Sequence, residues 1–282
     1  MEQRPTPSRS HHREAARQLA RQQRELAQRK RARMRIIRQS SLVAGALAVI
    51  GIIVTVGMTS TASTRGVEPG PANMRSDGLV FTAAGVQHSS ALEPKEAPTP
   101  LPAGTDRGNV TIVMYVDYMC PFCKAFEAKY GPTIDKLVQS GATLDLHPVA
   151  VLNSKSNGTN YSTRAANAFA CVADAEPEKA RLVNDALFEH QPPEYSTGLT
   201  DDELVKIVTD VGVTNPQKLS DCIRKGTFRN WVTSASYRAF SSLPNANVKT
   251  LQGTPTVVVN GTWYDANAYG GAFEAFLEKT IG

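Results

Sequence analysis

The first 119 residues contain no cysteine, so no thiol follows the apolar stretch near residue 50 closely enough to accept a lipid. There is also no Arg-Arg pair, which excludes a twin-arginine export signal. No charged residue occurs between Arg38 and Arg65. That gap decides how the basic N-terminus is read. Residues 1–38 hold 12 Lys and Arg against Glu2, Glu14 and Glu25, a net of +9 that leaves −4 for the rest of a chain whose total is +5. A tail of this kind could bind nucleic acid. It runs straight into an uncharged apolar segment, however, so the expected surface is a membrane and no nucleic-acid partner is expected.

Leu42 to Met58 gives 17 mainly apolar residues, and the flanking Ser and Thr extend the run to the length of a spanning helix. By the positive-inside rule, residues 1–38 form a cytoplasmic tail and residues 39–60 a transmembrane signal anchor, with everything beyond lying outside the cell membrane. A cleaved signal peptide is the competing reading, but its n-region would be far too long. All four cysteines, Cys120, Cys123, Cys171 and Cys222, lie on the outer side, where disulfides form and persist.

Residues 61–104 are rich in Ser, Thr, Pro and Gly and end in Pro94, Pro98, Pro100 and Pro102. That is the composition of an extended spacer, within which only "SDGLVF" hints at a strand. The folded domain is expected over 105–282. "NVTIVMYVDY" is apolar on both faces, as a central strand would be. Cys120 sits just past its end, and Pro121 fits the first position of a helix. Phe126, Tyr130, Ile134, Leu137 and Val138 follow at helical spacing, with a kink expected at Gly131-Pro132. "TLDLHPVAVL" reads as a second strand. A helical insertion over about 158–243 has its start signals at Ser162, Pro177, Thr200 with Glu203, Asn215-Pro216 and Thr227, and its stops at Gly212 and Gly226. Strands in "TPTVVVNG" and "TWYDA" and a last helix in "GAFEAFLEKT" complete an α/β domain with no internal repeat.

"YMCPFCK" is where chemistry concentrates. Two cysteines with only Pro121 and Phe122 between them suit a redox couple, half of a zinc site or a structural disulfide. Zinc needs a second nearby pair, and Cys171 and Cys222 are solitary, so no metal is expected. A helix start has unpaired backbone donors and a partial positive charge, which favour a thiolate at Cys120. Cys120 is then the nucleophile, and Cys123, one turn further in, the resolving thiol. No cofactor is needed. Asp117 is read as solvated or capping, His147 as a core or edge residue, and His190 as a helix-end residue. Cys171 and Cys222 are expected to pair in an oxidising compartment across about 50 residues, the alternative being two buried free thiols.

With "YVDYMCPFC", "YSTRAANAFACVA" and "GTPTVVVNG" in one chain, residues 105–282 resemble the DsbA-like thiol-disulfide oxidoreductases of the thioredoxin fold, in particular the membrane-anchored extracytoplasmic members of actinobacteria. The fold implied is a thioredoxin fold with a helical insertion, preceded by one N-terminal transmembrane helix. The resemblance also implies a cis Pro255 packed on the Cys120 sulfur, and a Thr254 backbone that pairs with an extended substrate. The implied partners are secreted or unfolded cysteine-containing proteins and a DsbB- or VKOR-type membrane protein that reoxidises the pair. Two positions depart from the family. Phe122 stands where oxidase members often carry a His, and Met114 where thioredoxins keep a buried acid. A reductase or isomerase of the same fold therefore stays open. So does an anchored copper-delivery protein, for which Met119 is the only nearby candidate ligand.

Overall fold

The computed structural model describes residues 69–282 apart from residues 94, 106 and 107. The basic tail and the apolar span at 39–60 lie outside the described residues, among which no helix is long and apolar enough to cross a membrane.

Six strands form one sheet in the order β2-β1-β4-β3-β5-β6. They are β1 (Leu79–Thr82), β2 (Gly85–Val86), β3 (Thr111–Val116), β4 (Thr143–Pro148), β5 (Thr256–Val259) and β6 (Thr262–Trp263). β3 and β4 run parallel, and every other neighbouring pair is antiparallel. α1 (Pro121–Gln139) joins the parallel pair. It runs through Pro132, the site of the expected kink, as one helix.

β3 is apolar on both faces because both are covered. Ile112, Met114 and Val116 enter the main core with Phe126, Ile134 and Phe276, while Tyr115 packs on the other side with Val149, Ala239, Leu243 and Leu251. Met114, the position lacking the expected acid, is thus an ordinary core residue.

Between β4 and β5 come α2 (Tyr161–Ala175), α3 (Ala180–Glu189), α4 (Asp201–Asp210), α5 (Pro216–Lys225) and α6 (Arg229–Ser241); α7 (Phe273–Ile281) ends the chain. Local signals set several boundaries. Thr200 and Glu203 form a reciprocal capping box at α4. Gly226, at φ 65°, closes α5 in the left-handed conformation that a side chain would disfavour. The start of α2 differs from expectation. Asn160 takes the N-cap position in a left-handed conformation without a side-chain cap, and Ser162 lies fully buried inside the first turn.

Cys171 on α2 and Cys222 on α5 are joined by a disulfide across a sequence separation of 51. Replacing both by alanine is expected to lower stability by about 4 kcal/mol, the chain entropy of a loop that long. The urea midpoint would read this loss, and a change below about 1 kcal/mol would locate the stabilisation in the surrounding helix packing instead.

The expected spacer is the main correction. Residues between 70 and 101 are folded onto the domain, and β1 supplies the sheet with a strand beside β4, with Leu79 opposite Leu146 and Phe81 opposite Leu144. Met74, Leu79 and Leu92 are buried, and leaving such side chains in water would cost roughly 2 kcal/mol each. Arg238 on α6 grips Asp77 through two bonds of 2.6 Å. Gly78 approaches so closely that a side chain there would overlap Asp145 and His147. Pro and Gly content therefore signals turns in a packed strap here, rather than an extended linker.

Candidate active site

The register of the sheet builds the site. β3 and β5 pair with Tyr115 opposite Thr256, so the residues following Val116 come alongside those preceding Thr256. Cys120 ends the loop after β3, Pro255 precedes β5, and the Thr254–Pro255 peptide is cis. The Cys120 Sγ donates to the Thr254 carbonyl at 3.1 Å across 134 residues of sequence. Cys120 is the N-cap of α1, with extended backbone and no side-chain cap of its own. The first N–H groups of the helix therefore face its sulfur. Both cysteines of the pair are free. Cys120 keeps 4% of its surface, Cys123 none, and Phe122 between them is 73% exposed.

These positions separate the two thiols electrostatically. A hydrogen bond from Cys123 is the largest influence on Cys120. Burial opposes it, while the Thr254 side chain and the backbone N–H groups of Cys123 and Phe122 reinforce it, bringing the Cys120 thiol down to about 7. Burial, then the neighbouring Cys120, push Cys123 well above the ordinary thiol value. Above neutral pH the reduced pair is thus a thiolate at Cys120, which keeps a small accessible patch, over a fully buried thiol at Cys123. Alkylation of the reduced protein should be half-maximal near pH 7 and fall to about a tenth of its maximum by pH 6, as protonation removes the reactive thiolate. A midpoint near 8.5, the value of a free cysteine, would refute that separation.

Asp117 is fully buried, which corrects its reading as solvated. One carboxylate oxygen accepts from Met119 N at 2.8 Å; the other accepts from Val151 N at 2.7 Å and Leu152 N at 2.8 Å. It thereby ties the loop before Cys120 to the segment after β4. Burial raises its pKa, and these N–H groups pull it back in part. Met119 is also fully buried, so its thioether packs in the core. His147 lies in β4 with its Nε2 3.0 Å from Asp145, and His190 ends α3 with its Nδ1 on the Ala186 carbonyl.

The helical insertion is bolted to α1 by charge. Arg181 on α3 takes both carboxylate oxygens of Glu127 at 3.1 Å and reaches Asp135 at 3.0 Å. Asn184 donates to Glu127 at 2.9 Å and accepts from the Tyr118 hydroxyl at 3.2 Å, two residues before Cys120. Sequence reasoning missed Glu127, Arg181 and Asn184. Their only local signal is that Glu127 shares the inward face of α1 with Cys123 and Tyr130.

A family model described as thioredoxin matches residues 96–279. The chain belongs to the thioredoxin family. Among solved structures, reduced DsbA from Mycobacterium tuberculosis is 31% identical, with 73% of this chain and 93% of that one covered and a TM-score of 0.51. A reduced disulfide bond oxidoreductase, DsbG, from the same organism is 32% identical, covering 67% and 82% of the two chains at a TM-score of 0.50. The serine/threonine-protein kinase PknE of Mycobacterium tuberculosis is 31% identical over 159 residues, which is 55% of this chain and 27% of the kinase. The chain thus spans about a quarter of the length of the curated kinases it matches. The family match begins before residue 105, inside the stretch expected to be spacer.

Proposed function

We propose that the protein is a thiol-disulfide oxidoreductase of the DsbA type, which forms disulfides in other proteins at the outer face of a cell membrane. The observation that carries this reading is the placement of Cys120 at a helix start, its sulfur 3.1 Å from the Thr254 carbonyl beside the cis Pro255, over a fully buried Cys123, an arrangement that lowers the first thiol and raises the second. Stabilising the reduced thiolate makes the corresponding disulfide the stronger oxidant. Likeness to DsbA and DsbG from Mycobacterium tuberculosis supports the same class.

In the forward direction a client thiolate attacks Cys120 Sγ of the Cys120–Cys123 disulfide. The client–Cys120 bond forms, the Cys120–Cys123 bond breaks, and Cys123 leaves and takes up a proton. A second client thiolate then attacks the client sulfur of this mixed disulfide and expels Cys120 as thiolate. Two electrons have passed to the protein, and the client holds a new disulfide. A DsbB- or VKOR-type membrane partner would take those electrons onward. The uncharged run from Leu42 to Met58 behind a tail of net +9 supports anchoring through residues 39–60, with the site outside.

Phe122 favours a second reading, a reductase or isomerase, because the side chain between the cysteines donates nothing to the thiolate. The reduction potential of the full chain, equilibrated with glutathione, decides between them. A value of about −120 mV is expected for a disulfide donor, and one of about −270 mV would reverse the direction of electron flow.

A further inference from the structure

We propose that Gln191, contributed by the helical insertion, is a positioning residue of the redox centre that holds the carbonyl of Cys120 and so favours the thiolate on that residue. This rests on the oxidoreductase reading and extends the site beyond the cysteines and the Thr254–Pro255 loop.

The Gln191 Nε2 donates to Cys120 O at 2.9 Å, across 71 residues of sequence. Gln191 follows the end of α3, and its own N–H is anchored on Phe188 O at 3.2 Å. A second bond runs the opposite way. Lys124 on α1 donates from Nζ to the Glu189 carbonyl at 3.0 Å. The insertion and the active-site helix are therefore stapled twice within one turn of Cys120. The arm that carries this staple is held in place by the Arg181–Glu127 pair further along the same two helices.

The Cys120 carbonyl accepts from Lys124 N at 3.2 Å, at the long end of the usual range. It therefore has a lone pair to spare for the Gln191 amide. A carbonyl oxygen on the residue bearing the thiolate is a negative pole beside a negative charge. An N–H donated to that oxygen offsets the repulsion. Lys124, held on the end of α3, keeps an ammonium group within the first turn, where a cation is unfavourable for the helix dipole but favourable for a thiolate. The Phe122 side chain supplies no donor, so side-chain polar support of Cys120 on this side comes from the insertion.

The test uses the full chain and the variants Gln191→Glu, Gln191→Leu and Gln191→Arg. It reads the equilibrium constant of the Cys120–Cys123 pair with glutathione, and the pH midpoint of Cys120 alkylation. Gln191→Glu sets a carboxylate against the carbonyl and is expected to shift the constant about tenfold toward the disulfide, which is about 30 mV less oxidising. Its alkylation midpoint should rise. Gln191→Leu should shift both in the same direction by about threefold, and Gln191→Arg, which keeps a donor at similar reach, should restore wild-type values. A residue that only anchors its loop would change the melting temperature and leave both thiol readings in place. Glu and Leu variants within twofold of wild type would therefore overturn the proposal, and the Leu and Arg pair decides it alone if the Glu variant does not fold. A wild-type chain that forms no Cys120–Cys123 disulfide under these conditions would instead overturn the oxidoreductase reading.

Discussion

Replacing Cys123 by serine is expected to arrest the reaction as a covalent adduct, whereas replacing Cys120 by serine leaves neither adduct nor exchange. The difference follows from where the two sulfurs sit. Cys120 lies beside the exposed Phe122 with its thiol brought down to about 7, while Cys123 has no exposed surface. In the Cys123→Ser variant the Cys120 thiolate still attacks a disulfide-bearing protein, but no neighbouring thiol can resolve the mixed disulfide. In Cys120→Ser the hydroxyl is not ionised near neutral pH and forms no bond to sulfur, so exchange should fall by on the order of 10³-fold or more. Non-reducing electrophoresis followed by mass spectrometry of the adduct checks both outcomes. Adducts formed through Cys123 in the Cys120→Ser variant would reverse the assigned roles.

Asp117→Ala should be the most damaging single change outside the cysteines. It leaves the N–H groups of Met119, which is buried, and of Val151 and Leu152, which are partly buried, without their acceptor. Each orphaned donor costs on the order of 1–3 kcal/mol. Against this, the substitution removes a fully buried carboxyl whose raised pKa reports what its charge costs in the fold. The net expectation is a loss of about 3 kcal/mol, read from denaturant unfolding of the reduced protein. The pH dependence carries a definite sign. Because the folded pKa lies above that of an ordinary aspartate, the contribution of Asp117 is fully present below the ordinary aspartate range and declines as pH rises through the raised value. The gap between wild type and variant should therefore be widest in acid and narrow toward neutral pH. A gap that widens with pH would mean that the ionised form is the better bound one.

Asp117 also marks how far the sequence could be read. Its position three residues before Cys120 was plain, and so was its short polar side chain in an apolar run. Whether it faced water depended on the chain after β4 folding back to offer two N–H groups, and nothing near residue 117 encodes that. Gln191 is a sharper case. It stands in "HQPPEY", a stretch with the composition of an ordinary loop, and acquires its role only because α3 ends beside the start of α1. The strap from residue 70 to 101 differs from the expected spacer for a related reason. Its Pro and Gly describe the backbone locally, but the open edge of β4 that takes up β1 is built by residues more than 60 positions away.

What the sequence by itself determined is what short range decides. CPFC at a strand-to-helix junction, Thr254-Pro255 before an apolar strand, the capping box at Thr200 and the glycine stop at Gly226 all depend on backbone preference, side-chain periodicity and capping within a few residues. Only the tertiary structure decided which distant groups meet. The Cys120 sulfur on the Thr254 carbonyl, Asp117 on the segment after β4, Arg181 on Glu127 and Gln191 on the Cys120 carbonyl are hydrogen bonds and ion pairs spanning from about 34 to 134 residues. Partners that far apart are chosen by the packing of the sheet and helices, because a buried donor or acceptor must be satisfied by whichever group the fold brings within about 3 Å.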